Sequence, residues 1–489
     1  MALTKSRFRR EQLTHPVIDS DVHSVEFIPV LEDFIHVEGG TKLVEKFRLE
    51  IRNGRFQSSI WYDLSPEERH RQRCQRPPWW SMPAARTEDL AAVSLPAFLA
   101  EKMYDHGTDY SILYSNIATF AVLTNDPDLR IPLCRAVNRY QFELFSGHHK
   151  HMTSAAAIPL FTPEEGIAEL EHAVGELGYK VALITGGAPR PIQALAEKYP
   201  ARDHPDLAKH IVWFDTFGID TEYDYDPFWE AATRYGVPLM VHKGTQGWNG
   251  RASNTNFAFN QVGHFAAGSE AITRSLFLSG VTRRHPDLRV GLLEGGLGYA
   301  TILLSDLISS WQRRGKHVVS MLDPARIDLD ALFLLYQTHA PDRVKAKLTD
   351  AEALAPFIWG VNASGQGPAS AQTMLDEFAF VDPASEQEIC DLFLPNFYFG
   401  VEGCDVSVSH GFNTVLNPNG AELKCFWATD AGHWDVPDLT TILDETWMHV
   451  EHGIIVESDF RKLVYENPKQ FYTHGNKDFF ANTALEWGA

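Results

Sequence analysis

The sequence predicts an α/β fold, a (β/α)₈ TIM barrel with long insertions. Eight apolar, β-branched or aromatic segments are typical of strands, and helical patterns separate several of them, which favours a parallel sheet. Four of these segments, those ending at His23, His242, Glu294 and Asp430, place a metal-type ligand where the strand ends of such a barrel converge. The eight predicted strands are Val17–His23, Tyr110–Asn116, Met152–Leu160, Lys180–Gly186, Val237–His242, Arg289–Glu294, Phe397–Glu402 and Lys424–Asp430.

Three intervening segments show helix signals. Residues 163–177 carry apolar positions at helical spacing, and Thr162 is the expected N-cap. Residues 227–236 begin with Pro and end with Gly, and residues 266–280 form a further helical pattern before the sixth strand. An open, doubly wound sheet is the alternative, but no GxGxxG follows any predicted strand.

Three connections are too long for ordinary barrel loops. Residues 24–109 join strands one and two, residues 187–226 precede the helix before strand five, and residues 312–396 join strands six and seven. Loops of this length usually carry function or subunit contacts. We interpret residues 1–489 as a single domain with these insertions and with residues 473–489 as a C-terminal extension.

Composition excludes several classes of partner. The 489 residues include 43 Lys and Arg against 64 Asp and Glu, a net charge of −21, which argues against nucleic acid and anionic membranes. No apolar run approaches the ~20 residues of a membrane span. The basic start, residues 5–10, has no apolar stretch behind it and is not typical of a signal peptide. Five scattered cysteines without a CxxC pair indicate a cytoplasmic protein with reduced thiols.

The strand-terminal residues predict a divalent-metal site. Asp21 and His23 lie two apart on one strand and therefore point the same way. His242 ends a strand of apolar residues, and Glu294 ends another before a Gly-Gly turn. A carboxylate buried there needs a cation, either an Arg or a metal. Asp430 ends the last strand and is a suitable ligand or general base.

Other polar residues lie close to these positions in sequence. Glu26 follows the first strand and can reach the same ion, or it is a solvated loop residue. His264 begins a helix facing the loop after His242, where it can bind metal or pack on an aromatic ring. His433 and Asp435 follow Asp430 and either support the ligands from behind or cap a turn.

Three residues of the loop after the fifth strand are candidates for binding substrate. They are Trp248, Arg251 and Asn254. Arg251 and Asn254 can hold a substrate carboxylate, and Trp248 can exclude water. Each is also an ordinary surface or packing residue type.

The motifs together resemble the amidohydrolase-related family, the branch of the amidohydrolase superfamily that contains aminocarboxymuconate-semialdehyde decarboxylase. They are DxHxxE on strand one, His on strand five, a Pro-Asp-Leu-Arg strand ending in a Gly-Gly turn, and Ala-Thr-Asp-x-x-His-x-Asp on strand eight. The resemblance implies a barrel with a metal bound by Asp21, His23, His242 and Asp430, and with Asp430 also contacting the activated water.

Glu294 departs from the decarboxylases of this family, which carry a His acid/base there. The DxHxxE and Glu-Gly-Gly version looks more like a subgroup that includes dinuclear iron or manganese oxygenases. That likeness implies that Glu26, His264 and Glu294 join the site, giving three His and four carboxylates.

The functional expectation is a metal-dependent enzyme that uses one or two ions of Zn, Mn or Fe. The expected reaction is hydrolysis of a C–N, C–O or C–C bond in a small, carboxylated substrate. In this reaction Asp430 or Glu294 takes a proton from water. Oxygenation by a dinuclear iron or manganese site, in an enzyme or a subunit of one, is the alternative. A structural metal-binding subunit is the third.

The sequence also predicts a homo- or hetero-oligomer. The 312–396 insertion and its flanks supply apolar and aromatic surface that a lone barrel must cover, which is typical of interfaces. The residues are Trp311, Phe333, Leu334, Leu335, Tyr336 and Trp359.

Overall fold

We describe the fold from a computed structural model covering residues 3–53, 59–208, 210–242, 251–322, 326–354 and 376–486. The chain forms two compact units. The first comprises Met1–Leu304 and Cys390–Ala489, and the second comprises Ser305–Ile389. Trp248 and Trp359 lie outside the described residues.

Eleven strands are found among the described residues, all in the first unit. They are β1 (Ile18–Ser24), β2 (Tyr110–Ser115), β3 (Met152–Ser154), β4 (Ala156–Ala157), β5 (Ala182–Ile184), β6 (Ala188–Pro191), β7 (Val212–Asp215), β8 (Leu239–Val241), β9 (Val290–Leu292), β10 (Phe397–Val401) and β11 (Lys424–Trp427).

The strand order is compatible with a closed, parallel eight-stranded barrel. One sheet runs β1-β2-β3 and the other runs β4-β5-β8-β9-β10-β11, with every neighbour parallel. One residue separates β3 from β4, so together they occupy one barrel position. At the other seam a parallel bridge joins Val22 to Ala431, and the His23 amide donates to the Ala431 carbonyl at 2.6 Å. The β1, β2 and β10 strands are buried along their whole length, as expected of parallel strands covered on both faces.

All eight predicted strands are present, but most are shorter than predicted. The third divides into β3 and β4, and the last ends at Trp427, three residues before Asp430. His242 and Glu294 likewise lie just beyond β8 and β9. The reason at two of these ends is the backbone, because Glu294 (φ 55°) and Asp430 (φ 57°) adopt left-handed conformations that leave the strand.

The predicted helix signals are found in the structure. Thr162 caps Pro163–Leu170 in a reciprocal capping box with Glu165, and a π-helical segment, Glu171–Glu176, continues it. Asp226–Tyr235 ends at Gly236, whose φ of 65° is the left-handed C-cap geometry that glycine adopts readily.

The remaining α-helices that begin in the first unit lie between strands or at its ends. They are Lys5–Gln12, Ile28–Asn53, Ser59–Asp63, Pro66–Arg71, Thr87–Ser94, Pro96–His106, Asn116–Ala121, Pro127–Phe145, Gln193–Lys198, Pro205–Ala208, Phe257–Gln261, His264–Leu278, Val281–Arg284, Gly298–Arg314, Val408–Phe412, Ile442–Glu451, Glu457–Arg461 and Asn467–Thr473.

The long connections contain structure of their own. Residues 187–226 include an antiparallel hairpin of β6 and β7. The second unit contains Val319–Leu322, Leu329–His339 and Asp342–Lys345, and Glu386–Phe393 begins in it. In the Leu329–His339 helix, Leu334 and Leu335 are more than half exposed. None of the described helices combines the length and the apolar character needed to cross a membrane.

Candidate metal centre at the strand ends

Four strand ends bring their polar residues together at one place. The β1 strand carries Asp21 and His23, and His242, Glu294 and Asp430 follow β8, β9 and β11. The left-handed backbone at Glu294 and Asp430 turns both carboxylates away from the strand direction. Such conformations cost about 1–3 kcal/mol for a residue with a side chain and cluster at functional sites.

The first group of candidate ligands contains Asp21, His23, His242 and Glu294. The His242 Nε2 atom lies 2.8 Å from Glu294 Oε1 and 3.1 Å from His23 Nε2. The Asp21 Oδ1 atom lies 3.5 Å from His23 Nε2 and 4.0 Å from His242 Nε2. Two imidazole nitrogens and two carboxylates at these separations are a donor set that can surround one divalent ion.

The second group shares two members with the first and contains His23, Glu294, Asp430 and His433. Asp430 Oδ1 lies 3.0 Å from His23 Nε2 and 2.6 Å from His433 Nδ1. The other His433 nitrogen, Nε2, lies 3.2 Å from Asn116 Oδ1, and the His433 ring stacks on His23 at 3.8 Å between centroids. Asp430 therefore lies between His23, which belongs to both groups, and the imidazole of His433, whose other nitrogen contacts Asn116.

The burial and charge of these residues fit a cation. Asp21 is fully buried, and neither of its carboxylate oxygens accepts a hydrogen bond. Burial raises the pKa of Asp21, and Glu294 and Asp430 raise it further, against the opposing effect of His23. An ionised carboxylate that is buried in this way destabilises the folded protein unless a neighbouring positive charge compensates it.

The pKa values of His23 and Glu294 are also shifted by the charges of the neighbouring residues. Burial lowers the pKa of His23, but its contacts with Asp430 and Glu294 outweigh burial and hold that pKa well above its ordinary value. Burial raises the pKa of Glu294, but the imidazoles of His242 and His23 outweigh it and hold the pKa well below its ordinary range. The cluster thus favours positive charge at its centre, which a divalent ion would supply.

Glu26 and His264 lie outside both groups, unlike the set implied by the family resemblance. Glu26 Oε2 accepts from the Ile117 amide at 3.2 Å and Oε1 from Gln141 Nε2 at 3.2 Å, and burial raises the pKa of Glu26 to about 7. The His264 Nδ1 atom lies 2.6 Å from the Gln261 carbonyl, and its ring packs on Phe265 at 4.0 Å.

The two predicted substrate-binding residues that the structure describes are not brought to the cluster. Arg251 Nη1 donates to the Val262 carbonyl at 3.2 Å, and the Asn254 carbonyl accepts from Trp61 Nε1 at 3.0 Å. Neither residue lines the cavities beside the candidate ligands.

Asp19 is a site residue that the sequence analysis missed. Its Oδ1 accepts from the backbone amides of Asp21 and Thr429, each at 3.2 Å, and its Oδ2 accepts from Thr429 Oγ1 at 2.6 Å. Asp19 therefore joins β1 to the segment after β11, next to a candidate ligand on each side. Its position two residues before Asp21 on the same strand was the signal available in the sequence.

Two cavities reach the cluster. One of about 90 Å³ lies against His242, His264 and His433, with apolar walls that include Phe257, Phe265 and Trp434. The other, of about 250 Å³, lies against Glu294 and Asp430 on the side of β10. Its lining includes Glu402, the first residue after β10, which the sequence analysis placed at a strand end but did not nominate.

Comparison with known proteins identifies a family and a fold. The profile of the family described as amidohydrolase matches residues 53–358. No curated protein matches the chain significantly. The solved structures that it resembles include an amidohydrolase from Mycobacterium avium subsp. paratuberculosis, at 14% identity over 94% of this chain and 98% of that one, with a TM-score of 0.53.

Two further solved structures are decarboxylases. A dihydroxybenzoic acid decarboxylase from Polaromonas sp. JS666, with bound manganese, is 16% identical over 96% of this chain and 99% of that one, with a TM-score of 0.48. The 5-carboxyvanillate decarboxylase from Sphingomonas paucimobilis is 13% identical over 94% and 98%, with a TM-score of 0.45. The family match and the Mycobacterium structure imply a TIM-barrel α/β fold, in agreement with the strand order.

Proposed function

Because the chain belongs to the amidohydrolase family, whose members are metal-dependent enzymes, we propose that it is a hydrolase that uses water held at the strand-end cluster. The observation that supports this proposal is the position of Asp430. Its carboxylate lies 3.0 Å from His23 and 2.6 Å from His433, between the candidate ligands and an imidazole. A bound divalent ion would supply Lewis acidity and lower the pKa of water toward about 7.

In this proposal Asp21, His23, His242 and Glu294 hold the ion, and Asp430 receives the proton of the attacking water. His433 orients Asp430 through the contact at its Nδ1, and Asn116 holds the opposite ring nitrogen. A carboxylate fixed by an imidazole is a suitable general base because its lone pair is aimed before the reaction begins.

The surroundings favour a small substrate. Three of the four proposed ligands, Asp21, His23 and His242, are buried, with His23 fully enclosed and His242 only 2% exposed. The apolar walls of the smaller cavity, including Phe257 and Trp434, exclude water around the reacting bond and can contact a small apolar group.

The test combines metal loading with a panel of esters, lactones and amides. We expect Asp430→Asn to lower turnover of any hydrolysed member by about 10²–10⁴-fold. The control Glu457→Gln alters an exposed residue on the far helix Glu457–Arg461 and should leave turnover unchanged. Wild-type turnover by Asp430→Asn would contradict the proposal.

A second candidate function, oxygenation at a dinuclear centre, is favoured by one observation. The two groups of ligands overlap at His23 and Glu294, so the cluster offers enough donors for two neighbouring ions. Isotope labelling separates the two functions. Hydrolysis requires ¹⁸O from water in the product and no dependence on O₂, whereas label from O₂, with a supplied reductant, would establish oxygenation.

A further inference from the structure

The larger cavity beside the cluster is lined by an excess of carboxylates. It has a volume of about 250 Å³ and opens beside the two candidate ligands Glu294 and Asp430. Glu402, Asp405 and Asp435 add three more carboxylates to its wall. The remaining lining residues are Gln261, Gly263, Phe265, Ala266, Gly295 and Gly296, so no Lys, Arg or His belongs to the described lining.

The three additional carboxylates differ in how they are held. Asp405 accepts from the backbone amide and the hydroxyl of Ser407, each at 2.8 Å, which fixes it in a local turn. Asp435 accepts from Gln261 Nε2 at 3.2 Å. No hydrogen bond from a described residue reaches the Glu402 carboxylate. Glu402 is therefore the member of this wall with its acceptors free for a ligand.

The two candidate ligands contact imidazole nitrogens, at 2.8 Å for Glu294 Oε1 and 2.6 Å for Asp430 Oδ1, but without hydrogen-bond alignment. The side chains of Glu294 and Asp430 are 7% and 8% exposed, and Glu294 Oε1 and Asp430 Oδ1 accept no aligned hydrogen bond. Six carboxyl groups, those of Asp21, Glu294, Asp430, Glu402, Asp405 and Asp435, surround the cluster and the cavity, whereas one divalent ion carries two positive charges. The cavity wall therefore still lacks compensating positive charge when the ion is bound.

The electrostatic field of the cavity acts on its own wall. Burial raises the pKa of Glu402 to about 8, and the carboxylates of Asp430, Glu294, Asp435 and Asp405 contribute to the rise. The same carboxylates repel an anionic group of a ligand and attract a cationic group, which stabilises the ionised form of Glu402.

We propose that Glu402 is a specificity-determining residue that holds a protonated amine or amidine group of the substrate in this cavity. The inference rests on the proposed function, because it places the substrate's reacting bond at Asp430 and its cationic end beside Glu402. The part of the substrate that reaches the metal is not restricted by this inference.

The test compares two probes of nearly equal shape, benzylammonium and benzyl alcohol, by ligand-observed NMR titration of the manganese-loaded full-length protein. We expect the wild type to bind benzylammonium at least about tenfold more tightly than the alcohol, as for a charge-assisted contact. The titration is run at about pH 8.5, where Glu402 is largely ionised and benzylammonium stays largely protonated. Glu402→Gln then keeps the shape and removes the charge, so the preference should fall to less than about threefold. The control Glu457→Gln should keep it in full.

The outcomes separate this inference from the proposed function. Equal binding of the two probes by the wild type, or an undiminished preference in Glu402→Gln, would overturn the role of Glu402. A second equivalent of manganese that Glu402→Gln loses would show that a metal ion, not an organic cation, occupies the cavity, and would also overturn it. Metal content is measured in the same samples, and a wild type without bound metal would refute the proposed function whichever probe binds.

Discussion

Replacing Asp19 tests whether one buried carboxylate joins the first and last strand ends. Asp19→Asn keeps Oδ1 as acceptor for the two backbone amides, and its new amide group can donate to the Thr429 hydroxyl. That hydroxyl can then donate to the Asp21 carbonyl, 3.4 Å away. Asp19→Ala removes all three contacts and leaves buried donors without partners. At about 1 kcal/mol for each lost contact, the alanine variant should be about 3 kcal/mol less stable than the asparagine variant.

The wild type adds a dependence on pH that neither variant has. Burial raises the pKa of Asp19 from 3.8 to about 7 in the folded protein. The folded state therefore binds more protons than the unfolded state between these values, and stability falls as the pH rises from about 4 to about 7. The full shift corresponds to about 4 kcal/mol. Asp19→Asn should thus gain stability relative to the wild type at about pH 8, by up to that amount.

The assay is urea unfolding of the metal-free protein in a chelator, followed by tryptophan fluorescence at about pH 5 and about pH 8. Equal midpoints for the alanine and asparagine variants would refute the role of Asp19 as a link between strands. A gap between wild type and Asp19→Asn that does not change with pH would refute the electrostatic reasoning alone.

Three further predictions concern the ligands, a buried histidine and a buried ion pair. His242→Ala should lose most bound metal by elemental analysis, whereas Glu26→Gln should retain it; full metal occupancy in His242→Ala would reject the assignment. Burial lowers the pKa of His106 to about 4, so the unfolded state binds more protons between about 6.5 and 4 and stability falls as the pH drops through that range. His106→Leu should flatten this acid limb of the stability curve, and an unchanged limb would contradict the explanation. Arg130 and Glu165 pair at 2.8 Å with side chains 4% and 6% exposed. Arg130→Met should cost about 3–5 kcal/mol in urea unfolding because it strands the Glu165 charge, and a loss below about 1 kcal/mol would show that Glu165 finds other partners.

Much of the fold could be predicted because its signals are local. Continuous apolar runs marked the buried parallel strands, and Thr162 and Gly236 marked helix ends through capping chemistry. The strand lengths could not be read in the same way. The β9 and β11 strands end before Glu294 and Asp430, and the left-handed backbone at these two residues depends on the surrounding structure as well as on the local sequence.

The candidate site likewise contains residues that the sequence could predict and residues that it could not. His23, His242, Glu294 and Asp430 could be nominated because each ends a predicted strand, and Asp21 because it lies two residues before His23 on the same strand. The structure brings all five together. Their role as ligands remains a prediction, as do the oligomeric state and the metal identity. Glu402 and Asp19 were missed because their importance depends on a cavity wall and on a contact across the barrel seam. Their positions, at a predicted strand end for Glu402 and two residues before Asp21 for Asp19, gave a signal for each residue but not for these contacts.

The seam between β1 and the segment after β11 has a consequence for how the protein matures. Asp21 and Asp430 are more than 400 positions apart in the chain, yet both belong to the cluster, and the bridge from Val22 to Ala431 joins the two strand ends. A ribosome-bound chain that has not yet released the β11 segment contains at most part of the donor set. The complete cluster, with Asp430 and His433 beside the four proposed ligands, is therefore assembled late in biogenesis, after the two distant strand ends have met.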